Sequence, residues 1–163
     1  MKQSPTDKMV TNKYIEDVMR TRNTRYYKGV FSCDNIPIFN DRSFTLVANL
    51  SKRGEEGTHF VVLYKKDNSL VYFDPFGVPC RNRNILNYMR NFLQSTRIPF
   101  YLYVDTPIQH IDSMFCGFFC IAFCLCIEND YTIKNFLSMF SNKDLLLNDK
   151  LCIKVIQRLI KQA

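Results

Sequence analysis

Residues 59–77, HFVVLYKKDNSLVYFDPFG, read as two extended runs folded back on a tight turn. His59–Lys65 and Leu70–Phe73 are rich in Val, Leu, Tyr and Phe, whose branched or flat side chains suit a pleated surface. Lys66-Asp67-Asn68-Ser69 is turn-forming, and Pro75 stops the second run because proline has no N–H for a sheet ladder. An antiparallel hairpin is expected. In such a hairpin the start of one strand lies beside the end of the other, so His59 and Asp74 are expected as neighbours although fifteen positions apart. A carboxylate beside an imidazole sets its tautomer and stabilises the imidazolium. A histidine at the mouth of an apolar strand is also compatible with a plain edge residue.

Upstream, Ser43–Leu50 is a third extended segment, separated from the hairpin by Lys52-Arg53-Gly54-Glu55-Glu56-Gly57. Residues 9–20 have helical spacing, with Met9, Val10, Tyr14, Val18 and Met19 roughly on one side, and a loop through Gly29, Asp34-Asn35 and Pro37 follows. Downstream, residues 83–95 resume a helical period through Ile85, Met89, Phe92 and Leu93, Pro99 resets the chain, and Phe100–Val104 reads as a strand. After a loop through Pro107, Ile108, Gln109 and Asp112, the apolar segment 116–128 reads as a buried helix, followed by helices at 132–140 and 143–161. In the last, Leu147, Leu151, Val155 and Leu159 form one stripe and Lys150, Lys154, Arg158 and Lys161 another. Strands first, with helices around and after them, predict an α+β fold. The length of 163 residues predicts one domain over 1–163, with 141–163 as a C-terminal amphipathic helix.

With 47% hydrophobic and 23% charged residues and only 5 Gly and 6 Pro, disordered and low-complexity classes are excluded. The longest apolar run, Met114–Ile127, is shorter than the roughly 18 residues of a membrane span and is interrupted by Gly117. The N-terminal residues lack the apolar middle region of a secretory signal. A soluble intracellular protein without a membrane partner is expected. Four of the seven cysteines fall between Cys116 and Cys126, which suits neither a disulfide framework nor the paired ligands of structural zinc. Cys120, Cys124 and Cys126, like Cys33, Cys80 and Cys152, are read as small buried hydrophobes, and no metal site is expected.

The net charge is +7. Segment 81–97 carries Arg81, Arg83, Arg90 and Arg97 with no acid, and the last helix carries Lys150, Lys154 and Arg158. Such a balance attracts polyanions, and equally describes a solvated basic face.

Cys116 differs from the other thiols. It follows a polar loop at the first turn of a helix, where free backbone N–H groups and the helix dipole favour a thiolate. Gly117 beside it leaves room for a substrate carbonyl, and Gln109, seven residues earlier, offers an amide N–H for an oxyanion. A thiol near pKa ~8.5 is a weak nucleophile at neutral pH until an imidazole takes its proton.

The strings GTHFVVL, YFDPFG and IQHIDSMFCGFFC, with Tyr26-Tyr27-Lys28-Gly29 and the Pro37–Phe39 stretch, resemble the adenovirus maturation endopeptidases (adenain) and their relatives in other double-stranded DNA viruses and virus-like transposons. That family shares a clan with the ubiquitin-like-protein proteases. The resemblance covers roughly residues 9–140. It implies a mixed central sheet of about five strands packed by helices, with the catalytic cysteine at a buried helix N-terminus. It also implies His59 as general base, Asp74 as the residue orienting it, Cys116 as nucleophile and Gln109 as oxyanion donor. His110, Asp105 and Asp112 are read as loop residues.

The implied activity is a cysteine endopeptidase cleaving viral structural precursors at Gly-containing sites, as a monomer, in the host nucleus and the virion. Double-stranded DNA is the implied partner and activator, with Arg83, Arg90, Arg97, Lys150, Lys154 and Arg158 as candidate phosphate contacts, and no metal or small-molecule cofactor. The family's disulfide-linked peptide activator is not expected, because Ile98 stands at the aligned position and no cysteine lies between Cys80 and Cys116. Where the family has Trp after the catalytic His, Phe60 stands here and is expected to face the imidazole. Two other readings compete: an isopeptidase for ubiquitin or a ubiquitin-like modifier, and an inactive, basic DNA-binding virion protein.

Overall fold

The computed structural model describes residues 10–55 and 59–162. Met9, Glu56, Gly57 and Ala163, on which parts of the sequence reading fall, lie outside them. The chain runs α1 (Asn12–Arg20), β1 (Tyr27–Ser32), β2 (Ser43–Asn49), β3 (Phe60–Lys66), β4 (Ser69–Phe73), α2 (Arg83–Thr96), β5 (Leu102–Tyr103), α3 (Cys116–Glu128), α4 (Ile133–Ser138) and α5 (Leu147–Lys161). The fold is α+β, with one sheet in the spatial order β1-β2-β3-β4-β5. The sheet is mixed: β2, β3 and β4 are antiparallel neighbours, while β1 and β5 join the edges parallel to β2 and β4.

The hairpin organises the rest. Lys66 pairs with Ser69 and Val62 with Phe73, around a turn in which Asp67 takes a left-handed conformation (φ 49°). Strands buried on both faces still alternate in what they touch. Phe60, Val62, Tyr64, Val71 and Phe73 face the cluster that contains α3. Val61, Leu63, Leu70 and Tyr72 face the opposite cluster, which α2 fills with Ile85, Met89 and Phe92. Helices therefore cover both sides of the sheet. Helix α3 is buried along almost its whole length, between the sheet and α5, as its uniformly apolar sequence requires.

Several expectations are corrected. Residues 27–32 form β1, where a loop was expected. Gly29 at φ +139° and a register shift between Tyr27 and Val30 break the strand pattern, and carboxylates on helices hold its amides. Tyr26 and Tyr27 N–H donate to Glu128 Oε1 (2.8 and 2.7 Å), and Val30 N–H to Glu16 Oε1 (2.6 Å). Helix α1 buries Ile15 and Met19 while Tyr14 stays exposed. The last helix begins at Leu147 and buries Asn148, Cys152 and Ile156, each one position from the predicted stripe, together with Leu159, which the stripe contains. The strand expected over Phe100–Val104 is only Leu102–Tyr103.

Candidate active site

His59 ends the loop entering β3, and Asp74 immediately follows β4. The register of the hairpin brings them together: His59 Nε2 lies 2.9 Å from Asp74 Oδ1. Both side chains are largely shielded, 15% and 5% exposed. Asp74 accepts the Nε2–H, which leaves Nδ1 as the basic nitrogen. Cys116 opens α3 and lies near enough to the same ring to raise its affinity for a proton. Burial pulls the His59 pKa down, but the hydrogen bonds and negative charges of Asp74 and Cys116 outweigh it and raise the pKa to about 9.

The Asp-Pro-Phe-Gly turn after β4 does three things. Asp74 Oδ1 also accepts the Phe76 N–H (2.8 Å), and the Gly77 N–H closes the turn on the Asp74 carbonyl (2.8 Å). Phe76 stacks on the imidazole with centroids 5.0 Å apart and planes 15° apart. This corrects the expectation for Phe60, which is buried in the α3 core. The Pro75 carbonyl accepts the N–H groups of both Ile108 and Gln109 at 3.0 Å, clamping the loop that carries Gln109. Gly77 has φ +71°, and a Cβ there would lie 2.5 Å from Pro107 N, so only glycine lets the turn and the loop pack together.

Gln109 is buried, 2% exposed, and its Nε2 donates to the Ser113 carbonyl at 2.8 Å. An amide nitrogen has two hydrogens, so one donor remains. Its Oε1 is a buried atom with no hydrogen-bond partner. The start of α3 has no side-chain cap. Its first N–H groups and the positive end of the helix dipole are left for an anion at Cys116.

All seven cysteines are free. Cys116 is partly exposed, whereas the other six are buried. Burial pushes Cys124 and Cys126 up to about 12 and Cys120 and Cys152 well above an ordinary thiol. The small size of Gly117 also has a packing role. A Cβ there would lie 2.8 Å from Val10 Cβ and Cγ1, so its size admits the N-terminal segment onto α3.

The basic residues lie elsewhere. Arg83 and Arg90 are exposed on α2, and Arg97 is its left-handed C-cap. Lys150 and Lys154 are exposed on α5, and Arg158 donates to the Tyr131 hydroxyl at 3.2 Å. Because α2 and α5 cover opposite faces of the sheet, these residues form two separate basic surfaces. A groove of about 500 Å³ runs beside Arg90, Arg97 and Ile98 on the α2 face and takes no part in the Cys116 site. Among the described residues, no cluster of three or more His, Cys, Asp or Glu is placed to hold a metal, and no helix is long and apolar enough to cross a membrane.

The hairpin register made His59 and Asp74 legible in sequence. Phe76, Ser113 and the first turn of α5 were missed, although the Asp-Pro-Phe-Gly string is a turn signature that points to Phe76.

No protein-family model and no curated protein matches this chain. Among solved structures it is similar to SUMO protease Ulp1 with the catalytic cysteine oxidised to a sulfinic acid. That match has 14% identity and a TM-score of 0.42, covering 73% of this chain and 54% of the other. Ulp1 with that cysteine as a sulfenic acid matches at 12% identity and a TM-score of 0.39, covering 71% and 54%. The chain spans about half the length of these structures.

Proposed function

We propose that this chain is a cysteine endopeptidase with Cys116 as nucleophile, His59 as general base and acid, Asp74 as the residue orienting it and Gln109 as an oxyanion donor. One observation carries the reading: the hydrogen-bonded His59–Asp74 pair lies beside Cys116, whose proximity raises the proton affinity of the ring, at the uncapped start of a buried helix. With Asp74 on Nε2, Nδ1 takes the Cys116 proton, giving a thiolate beside an imidazolium. The thiolate attacks the peptide carbonyl carbon, and the carbonyl electrons move to oxygen. The free Gln109 N–H and the Cys116 backbone N–H hold that oxyanion. Collapse breaks the C–N bond, and the imidazolium protonates the departing amine. His59 then deprotonates a water that attacks the thioester, and Cys116 leaves as thiolate.

By resemblance to the adenain family, the proposed substrate is a viral structural precursor with Gly at the cleaved junction, processed in the nucleus and the virion. Double-stranded DNA is the proposed activator, and the exposed arginines of α2 support it: Arg83 and Arg90 have no acidic residue within segment 81–97.

The test is hydrolysis of a peptidyl-Gly-Gly-aminomethylcoumarin by the wild type, Cys116→Ala and His59→Ala. Loss of roughly a thousandfold or more is expected for Cys116→Ala. Undiminished cleavage by that variant refutes the proposal. Efficient labelling of Cys116 by a ubiquitin vinyl sulfone moves the substrate to a ubiquitin-like modifier while leaving the chemistry in place.

A further inference from the structure

The loop between Gln109 and Cys116 is held from outside by the first turn of α5. Asn148 is fully buried. Its Nδ2 donates to the carbonyls of Ile108 and Ser141, each at 2.8 Å, and its Oδ1 accepts the Ser141 N–H at 2.7 Å. The next residue, Asp149, accepts the Ser113 hydroxyl at 2.8 Å. Ser113 is the meeting point. Its hydroxyl oxygen accepts the Phe115 N–H (3.1 Å), one residue before α3, and its carbonyl orients the Gln109 amide (2.8 Å). One serine thus holds the Gln109 amide directly and the backbone one residue before the Cys116 N–H.

We infer that Asp149, acting through Ser113, is a positioning residue that aims the two oxyanion donors of the Cys116 site, with Asn148 fixing α5 to the same loop. The inference rests on the cysteine-protease reading above. An acid in the first turn of a helix also has a plain role, favourable interaction with the helix dipole. That role involves neither Ser113 nor Gln109. The side-chain bond to Ser113 directs Asp149 toward the loop, and its partial burial, which raises its pKa against the pull of Ser113 and of the nearby His110, shows that it faces protein as well as solvent.

Two small thiol reagents separate positioning from folding. Iodoacetamide alkylates Cys116 by displacing iodide in one step and forms no oxyanion. p-Nitrophenyl acetate acylates the same sulfur through a tetrahedral oxyanion, releasing nitrophenolate. Asp149→Ala and Ser113→Ala are each expected to slow Cys116-dependent acylation about tenfold, because small displacements of catalytic groups carry such costs, with alkylation changed less than about twofold. The double variant is expected to be no slower than either single one. Asp149→Asn keeps an acceptor for the Ser113 hydroxyl and is expected to recover most of the rate.

Acylation and alkylation falling together, or additive losses in the double variant, overturn the inference. If Asp149→Ala does not fold, Ser113→Ala in the partly exposed loop makes the same measurement. Acylation abolished by Cys116→Ala but unaffected by Asp149→Ala overturns this inference alone. Acylation unaffected by Cys116→Ala overturns the protease reading, and this inference with it.

Discussion

Replacing Asp74 with Asn removes one charge and leaves the shape. The amide oxygen still accepts the Phe76 N–H and the His59 Nε2–H, so the turn and the ring position persist. The electrostatic support of the imidazolium does not. In the wild type the rise from 6.5 to about 9, achieved against burial, corresponds to about 3 kcal/mol favouring the protonated ring, shared between Asp74 and Cys116. A charged hydrogen bond exceeds a neutral one by about 1–1.5 kcal/mol, so Asp74→Asn should weaken proton affinity at His59 about tenfold.

Proton NMR of the imidazole Cε1–H reads this directly. The chain has two histidines, and His110→Gln leaves only the His59 signal. The same titration predicts stability. A ring whose pKa is raised on folding contributes fully below about 6.5, and that contribution disappears as the pH rises through about 9. Asp74→Asn should therefore lose most stability relative to wild type near neutral pH, with the two converging above pH 9. An unchanged titration of His59 in Asp74→Asn, or a stability difference that persists unaltered above that range, refutes the coupling.

Gly77→Ala adds a Cβ 2.5 Å from Pro107 N at φ +71°, and should cost on the order of 3 kcal/mol in urea unfolding; a midpoint equal to wild type would show that the turn and the Gln109 loop are not packed together. Gly117→Ala should destabilise by about 1–3 kcal/mol through its contact with Val10, and Val10→Ala in the same chain should recover part of it; no recovery would remove Val10 as the cause. Neutralising Arg83, Arg90 and Arg97 together should reduce the log–log salt slope of duplex DNA binding by about 3, and an unaltered slope excludes α2 from the contact.

Local chemistry made much of this chain readable. Two short runs of strand-forming residues around the turn at Lys66–Ser69 predict the hairpin, and a hairpin sets the start of one strand beside the end of the other, so the approach of His59 and Asp74 follows from run and turn length. The uniformly apolar run from Gly117 to Ile127 likewise has to be a buried helix, which sets Cys116 at an entry. Other features depend on partners distant in the chain. Residues 27–32 become a strand because β2 lies alongside and Glu16 and Glu128 take amides that a regular ladder would otherwise satisfy, none of which leaves an alternating pattern.

Phe76 reaches the imidazole because the turn after Asp74 projects it there, while Phe60, next to His59 in sequence, points into the core because successive strand residues face opposite sides. Helix α5 turns a polar Asn148 inward because Ile108 and Ser141 offer it three hydrogen bonds, and this shifts the buried face from the one that apolar spacing predicts. Sequence determined what repeats over neighbouring residues: strand, turn and helix. Tertiary structure decided the bonds made across the chain, including the carboxylate that reaches Ser113, because hydrogen-bond partners 36 and 40 residues apart impose no periodicity on either segment.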